Sequence, residues 1–251
     1  MVTPESPAVL ALAGGVGGAK LVLGLARCLP PGDLVICVNT GDDETFHGLH
    51  VSPDLDTMMY TLSGLSNQET GWGVAGDTFT ALEMLGKFGV DTWFNLGDRD
   101  FATHIRRSQL LAEGKTLSEV TSELNQSLGV FHSVVPMSND PVKTVLSTDE
   151  GELPMQRYFV GRRAEPKVFE VRYVGVENAT AAPGLLDSLA KCGMLVLCPS
   201  NPYLSLGPIL ALPGVRQLMR DFSGKRVCVS PIVGGDAVKG PAGKIMAELG
   251  K

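Results

Sequence analysis

Residues 10–20 read LALAGGVGGAK. Four apolar residues run into GGVGG, in which four of five positions are glycine, and then come Ala19 and Lys20. An apolar run that breaks on glycines and resumes as a helical pattern reads as a strand ending in a phosphate-type turn. The stretch fits neither common nucleotide motif. A Walker loop needs G-x-x-x-x-G-K-[ST], but Ala19 precedes Lys20, and Leu21 follows where a hydroxyl would bind magnesium. A dinucleotide fingerprint needs G-x-G-x-x-G, and from Gly15 its third glycine falls on Lys20. The physics still applies. Glycines let backbone N–H groups approach an anion, and the helix that follows offers its positive end.

The rest of the chain supports an α/β frame for that turn. It has 251 residues, 44% of them apolar, enough for one large core or a core with an inserted lobe. Further apolar runs at LVICVN (34–39), TWFNLG (92–97), MLVLCP (194–199) and RVCVSPIV (226–233) join AVLALA (8–13) as expected core strands. They are nearly continuous rather than alternating, as in a parallel sheet covered on both faces. Helical patterns lie between them. Leu21, Leu25 and Cys28 form one stripe over 19–29, and a segment at 78–88 follows Asp77. Thr116 with Glu119 makes a capping box before 117–128, and Gly129 stops it. Segments 185–191 and 209–219 complete the set. The expected fold class is a Rossmann-like, doubly wound, mostly parallel α/β sheet. Its core comprises residues 1–104 and 181–251. A helix-plus-hairpin lobe fills 105–180, with the hairpin turning at Asp149–Gly151 and another strand in KVFEVRYVGV.

Composition narrows the function. A net charge of −6 argues against general nucleic-acid or membrane-surface binding. None of the five cysteines forms a C-x-x-C pair, which suits reduced thiols in a cytoplasmic protein. The N-terminal MVTPESPAVLALAGG lacks the basic start of a signal peptide, and no run approaches the roughly 20 apolar residues of a membrane span.

The chemistry gathers after the expected strands, where open α/β sheets bind ligands. The acidic segment NTGDDETFHGLHVSPDLDT (39–57) holds Asp42, Asp43, Glu44, Asp54 and Asp56. Carboxylates beside a phosphate turn would repel the phosphate. A hard divalent cation resolves the conflict, because Mg²⁺ takes one or two carboxylates together with phosphate oxygens. Asp43, Asp54 and Asp56 are the candidate metal ligands, unranked. In GDRD (97–100), Arg99 between Asp98 and Asp100 reads as an anion clamp held by carboxylates. His104 is a base or part of a helix face; His47, His50 and His132 lack metal-ligand spacing. PSNP (199–202) presents Ser200 and Asn201 between prolines, and Lys239, Gly240, Gly243 and Lys244 form a second Gly/Lys loop. No serine or cysteine nucleophile pairs with a histidine. The pattern is one of phosphoryl or nucleotidyl displacement run by metal and positioning.

These segments together carry a resemblance. AGGVGGAK, NTGDD, SPDLDT, GDRDFATH, PMSNDPVKT, PSNP with SLGPILALPGV, and SPIVGG with GPAGK closely resemble the 2-phospho-L-lactate transferase family, in order over residues 9–245. Members usually continue beyond GPAGK. The resemblance implies a Mg²⁺-dependent transferase of coenzyme F420 biosynthesis, usually a homodimer with a Rossmann-like core. Its donor is a GDP-activated phospho-acid of three carbons, such as lactyl-2-diphospho-5'-guanosine or its enolpyruvyl analogue. Its acceptor is the ribityl hydroxyl of the deazaflavin Fo, and GMP leaves. It implies guanine-nucleotide positions at Gly14, Gly15, Gly17, Gly18, Lys20, Asn39, Ser200 and Asn201. It implies deazaflavin and metal positions at Asp54 or Asp56 and at Arg99; Asp56, Asp54 and Arg99 are the candidate catalytic residues, with Asp56 chosen here as proton acceptor. Which three-carbon acid is transferred stays open. An alternative is a nucleotide-sugar-binding regulator of the gluconeogenesis-factor type, which shares the glycine and acidic loops but would lack PDLDT and GDRD-x-ATH. A Rossmann oxidoreductase is a weaker alternative, since the fingerprint fails.

Overall fold

The structure is a computed structural model that describes residues 7–251. The first six residues of the segment read above for a leader lie outside the described residues. β1 (Val9–Ala13) is buried throughout and ends at Gly14, where α1 (Gly15–Cys28) starts at once. β2 (Leu34–Val38) follows, then a short hairpin of β3 (Glu44–Phe46) and β4 (Leu49–Val51). Next come α2 (Pro53–Leu62), α3 (Thr80–Lys87), α4 (Asp98–Ala112) and α5 (Leu117–Ser127). β5 (Ser133–Pro136) precedes the antiparallel strands β6 (Lys143–Thr148), β7 (Gly151–Pro154) and β8 (Val168–Val174). The chain then gives α6 (Leu185–Lys191), β9 (Met194–Leu197), α7 (Leu206–Ala211), α8 (Val215–Asp221) and β10 (Lys225–Cys228). A small hairpin, β11 (Ile232–Val233) with β12 (Asp236–Ala237), leads into α9 (Ala242–Glu248).

The central sheet is parallel, in the order β10-β9-β1-β2-β5, with Val9 level with both Leu34 and Met194. Side-chain alternation explains the continuous apolar runs. Leu10, Leu12, Val35 and Cys37 point to one face, under α6, α7 and α8. Val9, Ala11, Ala13, Leu34, Ile36 and Val38 point to the other, under α1 and α2. Each buried Leu or Ile there contributes about 1.5–3 kcal/mol of transfer free energy. The chain leaves β1 for β2 on one side and later returns to β9 on the other. The topological switch therefore lies at the carboxyl end of β1, where a doubly wound sheet opens its binding crevice.

Several elements differ from the sequence reading. TWFNLG forms no strand. Its aromatics pack instead against the β3–β4 hairpin, with Phe94 stacked on Phe46 at 4.1 Å and Trp93 edge-on to both. The fifth strand of the sheet is instead Ser-Val-Val-Pro, whose two valines between a serine and a proline make no apolar run, and it pairs with β2 from within the 105–180 stretch. β6–β8 form a separate three-stranded sheet over a core that includes Tyr158 and Ile245. RVCVSPIV splits at Pro231 into an edge strand and half of a hairpin. Segment 209–219 divides at Leu212-Pro213-Gly214, where Gly214 takes φ +83° and starts a second helix. PDLDT opens a helix rather than lying in a loop. The capping box, the hairpin at 149–151 and the strand at 168–174 lie where expected. Cys37, Cys192 and Cys198 are buried and free; Cys28 and Cys228 are free and exposed. Among the described residues no helix is long and apolar enough to cross a membrane.

Candidate active site at the carboxyl end of the sheet

The glycine turn is built by close packing. The Gly14 N–H donates to Ser200 Oγ at 3.1 Å, and the Ser200 hydroxyl donates back to the Gly14 carbonyl at 2.7 Å. A Cβ on Gly17 would stand 2.3 Å from the Pro199 carbonyl oxygen, and one on Gly18 would stand 2.7 Å from Ser200 Oγ. These two glycines let α1 lie on the loop after β9. Gly15 has φ +64° and turns its N–H toward the Asp54 carboxylate. Ser200 is thus a clasp for the turn. Lys20 is exposed on α1.

Asp54 stands where an anion would sit, in the first turn of α2. It is held by Asn39, a fully buried residue just past β2. Asn39 Nδ2 donates to Asp54 Oδ2 at 2.9 Å and to Asp42 Oδ1 at 3.0 Å, while its Oδ1 accepts from the Gly41 N–H. Asp42 also accepts from Gln156 Nε2 at 3.2 Å. Next to it, Asp43 Oδ2 accepts from His50 Nε2 at 3.0 Å and from the Ser52 hydroxyl at 2.8 Å. Asp43 Oδ1 is shielded from solvent and has no hydrogen-bond partner. Burial, and then repulsion from Asp54 and Asp43, pushes the Asp42 carboxyl well above the usual range. Burial raises Asp43 against the pull of His50, Ser52 and Arg107. Asp54 is pushed up to about 6 by burial, with Asp43 adding to the shift and Asn39 and Gly15 opposing it.

Asp56, one residue beyond Leu55, faces a different partner. Both of its oxygens accept from the Arg107 guanidinium, with Nη1 at 3.1 Å from Oδ2. Arg107 also donates to His104 Nδ1 at 3.1 Å, and His104 Nε2 lies 3.2 Å from Asp100 Oδ1. Tyr60 donates to Asp100 at 2.7 Å, closing a buried network between α2 and α4. Burial alone would lower the Arg107 pKa; the Asp56 carboxylate outweighs it and keeps the guanidinium charged. Asp56, Asp100 and His104 are close enough to share a metal, but the guanidinium already supplies the cation at Asp56.

The structure corrects the reading of GDRD. Asp98 accepts from the Thr78 hydroxyl and from the N–H groups of Thr80 and Ala81, so it caps α3. Asp77 accepts from the N–H groups of Arg99 and Asp100, so it caps α4 in return. Those bonds hold the Asp98 carboxyl below its ordinary range. Arg99 is exposed and donates to the Ala75 carbonyl at 3.1 Å, so its flanking carboxylates do not clamp it. Asn201 Oδ1 accepts from the N–H groups of Tyr203 and Leu204, and its Nδ2 is buried without a partner. Lys239 donates to the Thr70 carbonyl, and Lys244 is tied to Glu248 and the Pro166 carbonyl, so they do not form an anion loop. A cleft of about 350 Å³ opens beside the acids, between Asp43, His50, the start of α5 and Asn139–Lys143.

The sequence reading missed Arg107, Tyr60, Gln156 and Ser52; it named Asp100 only as a flank of Arg99 and set His50 aside as a metal ligand. The one available signal was the second arginine of HIRR, one helical turn after His104.

A parallel sheet whose switch point joins a glycine turn to a knot of carboxylates defines a Rossmann-like α/β protein with its candidate site at that edge. The chain belongs to the family described as 2-phospho-L-lactate transferase CofD, which matches residues 9–251. It is similar to a phosphoenolpyruvate transferase of Streptomyces griseus subsp. griseus, 43% identical over 96% of this chain and 78% of that protein. It is also similar to a 2-phospho-L-lactate transferase of Methanosarcina mazei, 40% identical over 96% of this chain and 79% of that protein. A crystal structure of a UPF0052 family protein from Bacillus halodurans shares the fold, with TM-score 0.62 and 19% identity over 89% of this chain and 68% of that one. The family is one of transferases in F420 biosynthesis, and this chain is a transferase by that membership.

Proposed function

We propose that the protein transfers a phospholactyl or phosphoenolpyruvyl unit from a GDP-activated three-carbon acid to the deazaflavin Fo. The products are GMP and F420-0 or its dehydro form. The observation that carries this reading is the pairing of a three-carbon phospho-acid transferase family with carboxylates packed directly against the glycine turn.

The acids fit Mg²⁺. Asp42 and Asp54 are buried with the partly buried Asp43 beside them, and the buried cation Arg107 is committed to Asp56. Asp43 Oδ1 is an orphaned acceptor. Asp43 would hold Mg²⁺, with Asp54 at its side. When bound there, the ion would neutralise diphosphate charge and make the phosphorus a better electrophile.

The chain's own residues supply the rest. The N-terminus of α1 would turn its positive end toward the donor phosphates, beside the Asp54 carboxylate that the Gly15 N–H already holds. The Ser200 clasp and Gly17 keep that turn rigid. Asn39 orients Asp54, whose raised pKa of about 6 suits a group that takes a proton near neutral pH. We assign the proton of the attacking ribityl hydroxyl to Asp54. Both oxygens of Asp56, the acceptor chosen from the sequence, are engaged by the Arg107 guanidinium. The reading also takes the enzyme as a cytoplasmic homodimer, which sedimentation of the purified protein tests.

The deciding experiment mixes the protein with Fo, GTP, a guanylyltransferase and either phospholactate or phosphoenolpyruvate, and reads product mass. The expected result is a phosphodiester of Fo with release of GMP. UDP-sugar binding without affinity for Fo would favour the regulator instead.

A further inference from the structure

We propose that His50 and Ser52 are positioning residues that hold Asp43 by one oxygen, so that its other oxygen is presented to a divalent cation. This rests on the metal reading given above and goes further, because it names what aims the ligand.

Both side chains converge on one atom. His50 Nε2 lies 3.0 Å and Ser52 Oγ 2.8 Å from the same Asp43 Oδ2, and His50 Nε2 and Ser52 Oγ are 3.1 Å apart. With the proton on Nε2, both groups donate, and Oδ2 is saturated. Oδ1 is left buried without a partner. A carboxylate held in this asymmetric way has one orientation, and its free lone pairs have one direction.

Ser52 shows that the arrangement is built. It occupies the N-cap position of α2, where a serine side chain normally bonds the helix's own N–H groups, a bond worth about 1 kcal/mol. Its side chain makes no such cap and reaches Asp43 instead. His50 is equally fixed: it sits in β4, and its backbone N–H donates to Ser108 Oγ on α4 at 2.8 Å. Both His50 and Asp43 line the 350 Å³ cleft, so the residue that carries the free oxygen borders an open space. Partners that orient a metal-binding side chain typically change metal affinity by about 10- to 100-fold when removed.

The test titrates Mg²⁺, and Mn²⁺ as a spectroscopic substitute, into the purified protein with and without GDP, with affinity read by calorimetry and by the Mn²⁺ resonance signal. His50→Ala and Ser52→Ala are expected to weaken metal binding by about 10- to 100-fold, with the metal-free melting temperature little changed. His50→Gln and Ser52→Thr keep a donor and are expected to recover most of the affinity. Metal affinity unchanged in both alanine variants would overturn the positioning role while leaving the metal reading standing. Rescue variants that bind no better than alanine would overturn the role of the donated hydrogen bonds. A wild-type protein that binds neither ion under either condition would overturn the metal reading itself.

Discussion

Asp54 and Asp56 stand two residues apart in the first turn of α2, and both are buried, yet their surroundings are opposite. At about 100° per residue they point some 200° apart around the helix. Asp54 faces the glycine turn with only neutral donors, the Asn39 amide and the Gly15 N–H, and burial pushes it up to about 6. Asp56 faces α4 and meets a guanidinium on both oxygens. One carboxylate has no cationic side chain as a partner; the other joins two helices through one. A buried charge matched by a buried partner is structural, whereas one left unmatched is open to substrate, proton or metal.

The largest expected effect separates the two directly. Asp54→Asn should lower kcat by about 10²- to 10⁴-fold, the usual contribution of a positioned proton acceptor, while the melting temperature holds or rises. Steady-state release of GMP and thermal unfolding read the two quantities on one sample.

Asp56→Asn should do the reverse. It leaves Arg107 buried against a neutral amide, and breaking such a pair costs about 3–5 kcal/mol of stability. Urea unfolding measures that loss, and kcat per folded molecule should stay within about tenfold of wild type, short of the loss set by a missing proton acceptor.

A smaller effect is expected at the turn itself. Gly17→Ala places a Cβ 2.3 Å from the Pro199 carbonyl, which is backbone and cannot swing away. Overpacking of this kind costs about 1–3 kcal/mol, and it should also raise KM for the nucleotide-bearing donor. A variant with unchanged KM would show that the turn does not touch the donor.

The smallest effect is in pH. Asp54 binds its proton more tightly in the folded chain than at the ordinary carboxylate value of 3.8. Its contribution therefore favours the fold at low pH and is lost as pH rises through about 6. The metal-free protein should melt higher at pH 5 than at pH 7.5, and Mg²⁺ should raise the melting temperature more at pH 7.5. Differential scanning calorimetry across that range would show it, and an Asp54→Asn variant should show a smaller pH difference, keeping the part set by Asp42 and Asp43, which burial also raises.

The sequence made β1, β2 and β9 legible because strands covered on both faces read as unbroken apolar runs, and β10 carries a similar run although it is an exposed edge strand. It hid β5, whose Val134 and Val135 stand between a serine and a proline rather than in an apolar run, and it made TWFNLG look like a strand when its aromatics fill a satellite core under the β3–β4 hairpin. The acidic segment was legible as a site because carboxylates beside a glycine turn need a reason. The ranking of its members was not, because it depends on which face of α2 each occupies and on Arg107, 51 residues beyond Asp56. Arg99 looked like a clamp because Asp98 and Asp100 flank it. The structure sends one of those acids to cap a neighbouring helix and the other to Tyr60.

The most direct measurement compares Asp54→Asn with Asp56→Asn in a single series, at pH 7.5 with Mg²⁺, Fo and the GDP-activated donor, reading GMP release per folded molecule beside unfolding free energy. The expected result is a crossed pattern: Asp54→Asn folded but nearly inactive, Asp56→Asn destabilised but active where folded. Equal loss of turnover in both variants, or turnover kept by Asp54→Asn and lost by folded Asp56→Asn, would contradict the division of roles between the two acids.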